Sequence, residues 1–191
     1  MIKAFQHNII LASKSPRRSE LLAKSGFDFE IKTVEVEEDY PDTLNVYEVA
    51  EFLARKKAIE SKLLIEDNQI LITADTVVIY DDVIFGKPTN AEDAFKMLST
   101  LSSKKHTVVT GVCILSKTKE LSFSDTSHVH LATLSTEEIQ YYVNTYSPFD
   151  KAGSYGIQEW IGLCKIKKIV GSYSNIMGLP MQKLYPALES F

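Results

Sequence analysis

Five stretches of this chain put side chains where simple folding rules would not. The first, Ala12-Ser13-Lys14-Ser15-Pro16-Arg17-Arg18, follows a short apolar run, Asn8-Ile9-Ile10-Leu11-Ala12. Ser15 as N-cap and Pro16 at the first helical position open a helix there. Arg17 and Arg18 then fall in its first turn. Helix N-termini already carry partial positive charge and unpaired N–H groups, so two arginines are unfavourable there unless an anion joins them. Strand, polar loop, helix start and two guanidinium forks together make a phosphate cradle. A solvated basic turn would be spelled the same way.

The second stretch is a helix in which Val46, Val49, Ala50, Leu53, Ala54 and Leu64 share one face at roughly 100° per residue. Lys57 falls near the middle of that face and Arg55 points away. A lysine facing inward must meet an anion or snorkel out. The third is Asp75, between Ile70-Leu71-Ile72 and Thr76-Val77-Val78-Ile79. A carboxylate there needs a cation, a metal or a hydrogen-bonded network with Thr73 and Thr76. The fourth, Gly86-Lys87-Pro88, adds a cation at a turn. The fifth, Lys151-Ala152-Gly153-Ser154-Tyr155-Gly156-Ile157-Gln158, has the glycines of a loop that approaches a ligand closely, or of a tight structural turn. Gly171-Ser172-Tyr173-Ser174-Asn175 and Gly178-Leu179-Pro180 are similar.

Several cations, a buried acid and glycine loops are what hydrolysis of a polyphosphate requires. Cations and a divalent metal offset phosphate charge, and an acid positions or deprotonates water. The four histidines have no metal-ligand spacing. Ser/His/Asp hydrolase signatures, a Walker-type loop and a dinucleotide-binding glycine fingerprint are missing.

The elements that must hold these residues alternate between strand and helix, which favours an α/β or α+β architecture. After the opening strand and helix, closed by Gly26, Asp28 to Val34 alternates like a strand. Asn45 to about Leu64 is expected to be one long helix. Ile70 to Ile79 is β-rich, broken in the middle by Ala74-Asp75. Thr89 with Glu92 forms a capping box before a helix carrying Ala94, Phe95, Leu98 and Leu101. His106 to Leu115 and Phe123 to Leu134 read as strands. Ser135 with Glu138 caps a helix bearing Ile139, Tyr142, Val143 and Tyr146. Leu163 to Val170 is a further strand, and Met181 to Ser190 the closing helix.

The 191 residues are 45% hydrophobic and 24% charged, which suits one globular domain over 1–191. The net charge of −4, from 21 basic and 25 acidic residues, argues against non-specific binding to nucleic acid or anionic membrane. No apolar stretch approaches the roughly 20 residues of a membrane span. The first ten residues hold one Lys and no long apolar core, so no secretory signal is expected. Cys113 and Cys164 lie far apart, and two free thiols in a reducing cytoplasm are expected.

The string Ala12 to Leu22, ASKSPRRSELL, resembles the signature opening of the Maf family of nucleoside triphosphate pyrophosphatases. The resemblance continues through Leu53-Ala54-Arg55-Lys56-Lys57-Ala58, Ala74-Asp75-Thr76-Val77-Val78, Gly86-Lys87-Pro88 and His106 to Val112. It ends in Lys151 to Gln158 and Gly171 to Pro180. The segments come in family order over nearly the whole chain. This resemblance implies an α/β fold like that of Maf and inosine-triphosphatase proteins: a mixed, twisted sheet flanked by helices, with two lobes around a deep cleft. It implies cleavage between the α and β phosphates to nucleoside monophosphate and pyrophosphate, with a divalent cation such as Mg or Mn. Asp75 matches the family's proposed general base. Ser13, Arg17, Arg18, Lys57 and Lys87 match its phosphate-handling positions, and Glu38, with Asp75, matches positions thought to hold metal. Arg17, Thr76 and Gln158 match positions linked to base choice. Thr76 resembles the branch acting on dTTP and UTP, where a branch acting on methylated GTP usually has Gln. Modified pyrimidine nucleotides are a further possibility, and the family suggests a homodimer.

Glu159 departs from the pattern, standing where relatives often carry Gly. It adds a side chain and a charge beside the base pocket, which leaves the ranking of substrates open: dTTP and UTP are expected, and an amino-bearing base such as cytosine is the alternative. A competing reading is a nucleotide-binding regulator of cell division and septum formation with little turnover, although a pure binder has no evident need for a buried base. Another is a phosphatase that removes only the γ phosphate, distinguished by its products.

Overall fold

Seven strands form one sheet in the computed structural model, which describes residues 2–191. They are β1 (Asn8–Leu11), β2 (Phe29–Ile31), β3 (Gln69–Tyr80), β4 (Val83–Phe85), β5 (Lys105–Leu115), β6 (Glu120–Leu131) and β7 (Ile166–Val170). The order is β2-β1-β3-β5-β6-β7, with β4 also on β3. β2 and β1 run parallel to their neighbours, and the remaining pairs are antiparallel. The helices are α1 (Pro16–Lys24), α2 (Val49–Glu60), α3 (Ala91–Leu101), α4 (Thr136–Tyr146), α5 (Trp160–Lys165), α6 (Tyr173–Met177) and α7 (Met181–Ser190). This is the expected α/β architecture with a mixed sheet flanked by helices.

Side chains alternate across β3, and its two faces meet different layers. Leu71, Val77 and Ile79 pack towards α2 with Ala50, Leu53, Ala54 and Ala58. Ile70, Ile72 and Ala74 pack on the opposite face with Leu22, Leu184 and Leu188. Val78 on that same face joins Leu98, Leu101, Ile139 and Tyr142 of α3 and α4. The second face therefore holds two apolar clusters, one towards each end of β3.

β3 has β5 along one side over nearly its whole length, from Leu71 to Ile79. Its other side is shared. β1 pairs with Gln69 to Ile72, and β4 pairs with Val78 to Tyr80. Among the described residues no strand pairs with 73–77 on that side, and the cleft opens there. Ala74 and Asp75 do not break the strand, contrary to the sequence expectation, because they pair with Val112 and Gly111 of β5. Gly111 lets α2 lie directly on the sheet: a Cβ there would stand 2.3 Å from the backbone of Ala50 and Glu51. Thr73 Oγ1 donates to the Ala54 carbonyl at 2.6 Å, which fixes α2 to β3.

Several sequence boundaries move. α2 is shorter than expected, because 45–48 form a turn and Lys62–Leu64 a 3-10 helix. Residues 29–31 are the only part of 28–34 in a strand. The cap of α3 is Asn90, whose side chain accepts from the Asp93 N–H, and Thr89 instead donates to Asp93. Residues 163–165 are helical, the end of α5, before β7 begins. The Ser135–Glu138 capping box forms as expected. Cys113 is buried, its thiol pushed up to about 12 by burial, and Cys164 is exposed; both are free. Among the described residues, no helix is long and apolar enough to cross a membrane.

Candidate active site

A cleft of about 1130 Å³ wraps around the unpaired stretch of β3. Ser13, Arg17, Arg18, Glu38, Lys57, Asp75, Thr76, Lys87 and Gln158, distant in sequence, all line it. Strand alternation divides them. Asp75 lies on the α2 face, and Thr76, the next residue, on the other.

On the α2 face the groups are charged. Asp75 is 7% exposed. Its Oδ1 accepts from Lys57 Nζ at 2.5 Å, and the same ammonium donates to Glu38 Oε1 at 2.8 Å. Lys57 thus faces inward and meets anions, while Arg55 points out and pairs with Glu120 at 2.8 Å. Lys87 Nζ lies 3.7 Å from Glu38 Oε2. Burial alone would raise the Glu38 carboxyl, but Lys57, with help from Lys87 and Arg18, holds it below the ordinary glutamate range. No group of three or more His, Cys, Asp or Glu able to hold a metal occurs among the described residues. Glu38 and Asp75 do offer hard oxygen donors on either side of a point the fold already fills with positive charge. That fits a cation of the Mg or Mn type, which takes one or two carboxylates and completes its shell with water and substrate phosphate oxygens.

Arg18 stands at the junction. Its Nε donates to the Gly178 carbonyl at 2.8 Å, and its terminal nitrogens donate to Ser13 Oγ at 3.2 Å and Thr76 Oγ1 at 3.1 Å. Burial lowers its pKa, and the nearby Asp75 charge opposes that. Ser15 caps α1 by position only; its backbone N–H donates to Ser13 Oγ at 3.2 Å. Ser13 is therefore braced from two sides.

Opposite the charged face, the lining is mostly apolar: Val78, Val108, Tyr155, Ile157 and Ile176, with Thr76 and Gln158 as polar groups. The Gln158 side-chain carbonyl is buried and has no partner. Gly153 has a positive φ of 69°, and a Cβ there would meet the Val78 side chain at 2.9 Å. The loop therefore packs on β3 at this point only because Gly153 has no side chain.

Sequence reasoning missed the network under this loop. Arg17 reaches Asp150 at 2.7 Å, Asp150 reaches Lys151 at 2.8 Å, and Lys151 reaches Glu159 at 3.1 Å. Glu159 also accepts from the buried Tyr142 hydroxyl, which itself accepts from the Gly156 N–H at 2.9 Å. The Glu159 carboxylate is thus occupied and is not among the cleft-lining groups, whereas the sequence suggests a charge beside the base pocket. Burial and Glu159 together raise the Tyr142 pKa. Only the paired charges in 150–151 and 159 hinted at this network.

A family model for Maf-like protein matches residues 8–191. The chain belongs to the Maf family. It is 48% identical over 187 residues to a Parabacteroides distasonis protein named dTTP/UTP pyrophosphatase, covering 97% of each chain. It is 50% identical over 185 residues to a protein of the same name from Phocaeicola vulgatus, covering 96% of each. The solved structure of the Staphylococcus aureus Ham1 protein overlaps 65% of this chain and 72% of its own, at 15% identity and a TM-score of 0.48.

Proposed function

We propose that this chain, acting as one unit over 1–191, is a nucleoside triphosphate pyrophosphatase that cleaves dTTP and UTP to the monophosphate and pyrophosphate. The names of its relatives support the substrate class. The observation that carries the chemistry is a buried mid-strand carboxylate, Asp75, between a charged half and an apolar half of one cleft.

The base lies in the apolar half and the triphosphate extends past Arg18 into the charged half. Arg18 and Ser13 bind phosphate oxygens beside the start of α1, and Arg17, held by Asp150, lines the entry. Lys57 and Lys87 offset the charge that develops on the departing pyrophosphate. Asp75 accepts a proton from the attacking water through a carboxylate oxygen. Glu38 and Asp75 would hold a divalent cation together with substrate oxygens. When bound, that cation would supply charge neutralisation on the phosphates. The Asp75–Lys57 contact holds the carboxylate in place within the cleft until substrate arrives.

The reading is tested with a panel of canonical and modified triphosphates, with magnesium or manganese, and products separated by chromatography. Monophosphate plus pyrophosphate from dTTP and UTP is expected. Diphosphate plus inorganic phosphate would instead identify γ-phosphate removal, and tight binding without turnover would identify a nucleotide-binding regulator. A homodimer is the assembly that the family resemblance suggests, checked by sedimentation. A cytoplasmic location is supported by the two unpaired cysteines.

A further inference from the structure

In the apolar half of the cleft, proton positions in a row of hydroxyls follow from their partners. The Asn175 backbone carbonyl accepts from the Gly178 N–H at 2.9 Å and from Thr110 Oγ1 at 2.8 Å. A carbonyl can only accept, so the single proton of Thr110 is committed to Asn175. Thr110 Oγ1 is also 3.0 Å from Thr76 Oγ1, its cross-strand partner. With the Thr110 proton already used, Thr76 must be the donor in that pair. Arg18 donates to Thr76 Oγ1 at 3.1 Å and fills one of its two lone pairs. Thr76 therefore has no proton for the cleft and one lone pair left.

We propose that Thr110 is a positioning residue for base selection: it holds the Thr76 proton, so Thr76 can only accept from the N3–H of uracil or thymine. The N3 of cytosine carries a lone pair instead, and two acceptors would face each other. Guanine also has a ring N–H, so this device sorts pyrimidines and leaves purines to be excluded by size. Thr110 is 0% exposed and cannot touch the nucleotide itself. The proposal rests on the pyrimidine reading given above.

The test measures kcat/KM for UTP and CTP in the wild type, Thr110→Val and Thr110→Ser. Valine keeps the shape of threonine but cannot accept the Thr76 proton, which is then free to donate to cytosine N3. The UTP-to-CTP ratio is expected to fall roughly tenfold, mostly by a gain with CTP. Serine restores the hydroxyl and is expected to keep the wild-type ratio. A packing defect would lower both substrates together and leave the ratio alone. An unchanged ratio in folded Thr110→Val, or an equal fall in Thr110→Ser, overturns the assignment. The wild type provides a test that needs no variant: 3-deaza-UTP, with C–H in place of N3–H, is expected to be cleaved at least about tenfold less efficiently than UTP. Equal use of the two overturns the assignment. A wild type that prefers CTP or a purine triphosphate to UTP refutes the pyrimidine reading and this device together. UTP preference with an insensitive Thr110→Val refutes the device alone.

Discussion

The two faces of the middle of β3 solve different problems. On the α2 face, Asp75, Lys57, Glu38 and Lys87 hold one another through long side chains, and Lys87 and Glu38 remain about half exposed. Such contacts are easily exchanged for phosphate or metal. On the opposite face, Thr76 is linked to Thr110 at 3.0 Å, and Thr110 is anchored to the Asn175 backbone by a buried hydrogen bond of 2.8 Å. In the proposed function, one face would be organised by its ligand, and the other is set before the ligand arrives. Substitutions on the first should change turnover with little change in stability; those beneath the second should change stability or selectivity more than turnover.

The largest expected effect is on the charged face. Asp75→Asn keeps the shape and removes the charge, and kcat should fall at least about 10²-fold with the melting temperature nearly unchanged. Near-normal turnover in the folded variant would remove Asp75 from the chemistry. Arg18 spans both faces. Arg18→Ala should lower kcat/KM about 30-fold, from the loss of about 2 kcal/mol of charged hydrogen bonding, and Arg18→Lys should recover little because it lacks the fork. Unchanged triphosphate hydrolysis would make Arg18 a structural brace between Ser13, Thr76 and Gly178 and not a phosphate ligand.

The next prediction concerns what lies under the apolar half. His106 is buried and donates to or accepts from the Tyr155 hydroxyl at 2.7 Å, and burial lowers its pKa to about 4. Its unfolded value is about 6.5. The native state therefore resists a proton that the unfolded chain takes up. His106 contributes its full stability above pH 6.5 and loses it as pH falls towards 4, by no more than about 3 kcal/mol. Urea unfolding of His106→Gln should lose stability less steeply than the wild type across that interval. Parallel curves would mean that His106 is not held neutral.

The smallest effect is assigned to the departure from the family pattern. Glu159→Gly should cost about 1 kcal/mol, by leaving the Tyr142 hydroxyl without its acceptor and Lys151 with Asp150 alone, and leave the order of bases unchanged. A CTP preference that disappears in this variant would put the carboxylate in the cleft after all.

The sequence made the charged face easy to read and the apolar face hard. Lys57 and Asp75 each violate a local rule, a charge on an apolar helix face and a charge in an apolar strand, and such violations are visible as letters. Thr110 violates nothing: a threonine in a strand is ordinary, and its importance comes from Asn175, distant in the chain. Glu159 was visible as an oddity but its direction was not, because its partners Lys151 and Tyr142 are set by tertiary packing. The break expected at Ala74-Asp75 failed for a related reason. Polarity suggested an interruption, whereas the continuous ladder to β5 supplies the backbone pairing that keeps the strand intact.

The neighbours Asp75 and Thr76 face opposite ways because strand geometry has a period of two. A single-residue slip of β3 against β5 would exchange them, which in the proposed reading presents a hydroxyl to the phosphates and a carboxylate to the base. The chain guards against this with paired locks that work only in one frame. Gly111 is the point where α2 can touch the sheet, and Thr110, beside it, is the one matching partner for Thr76. A one-residue insertion or deletion within β3 would therefore scramble which reaction partner meets which wall, even if every strand still formed. Reading frame, usually a property of genes, is here a property of the cleft.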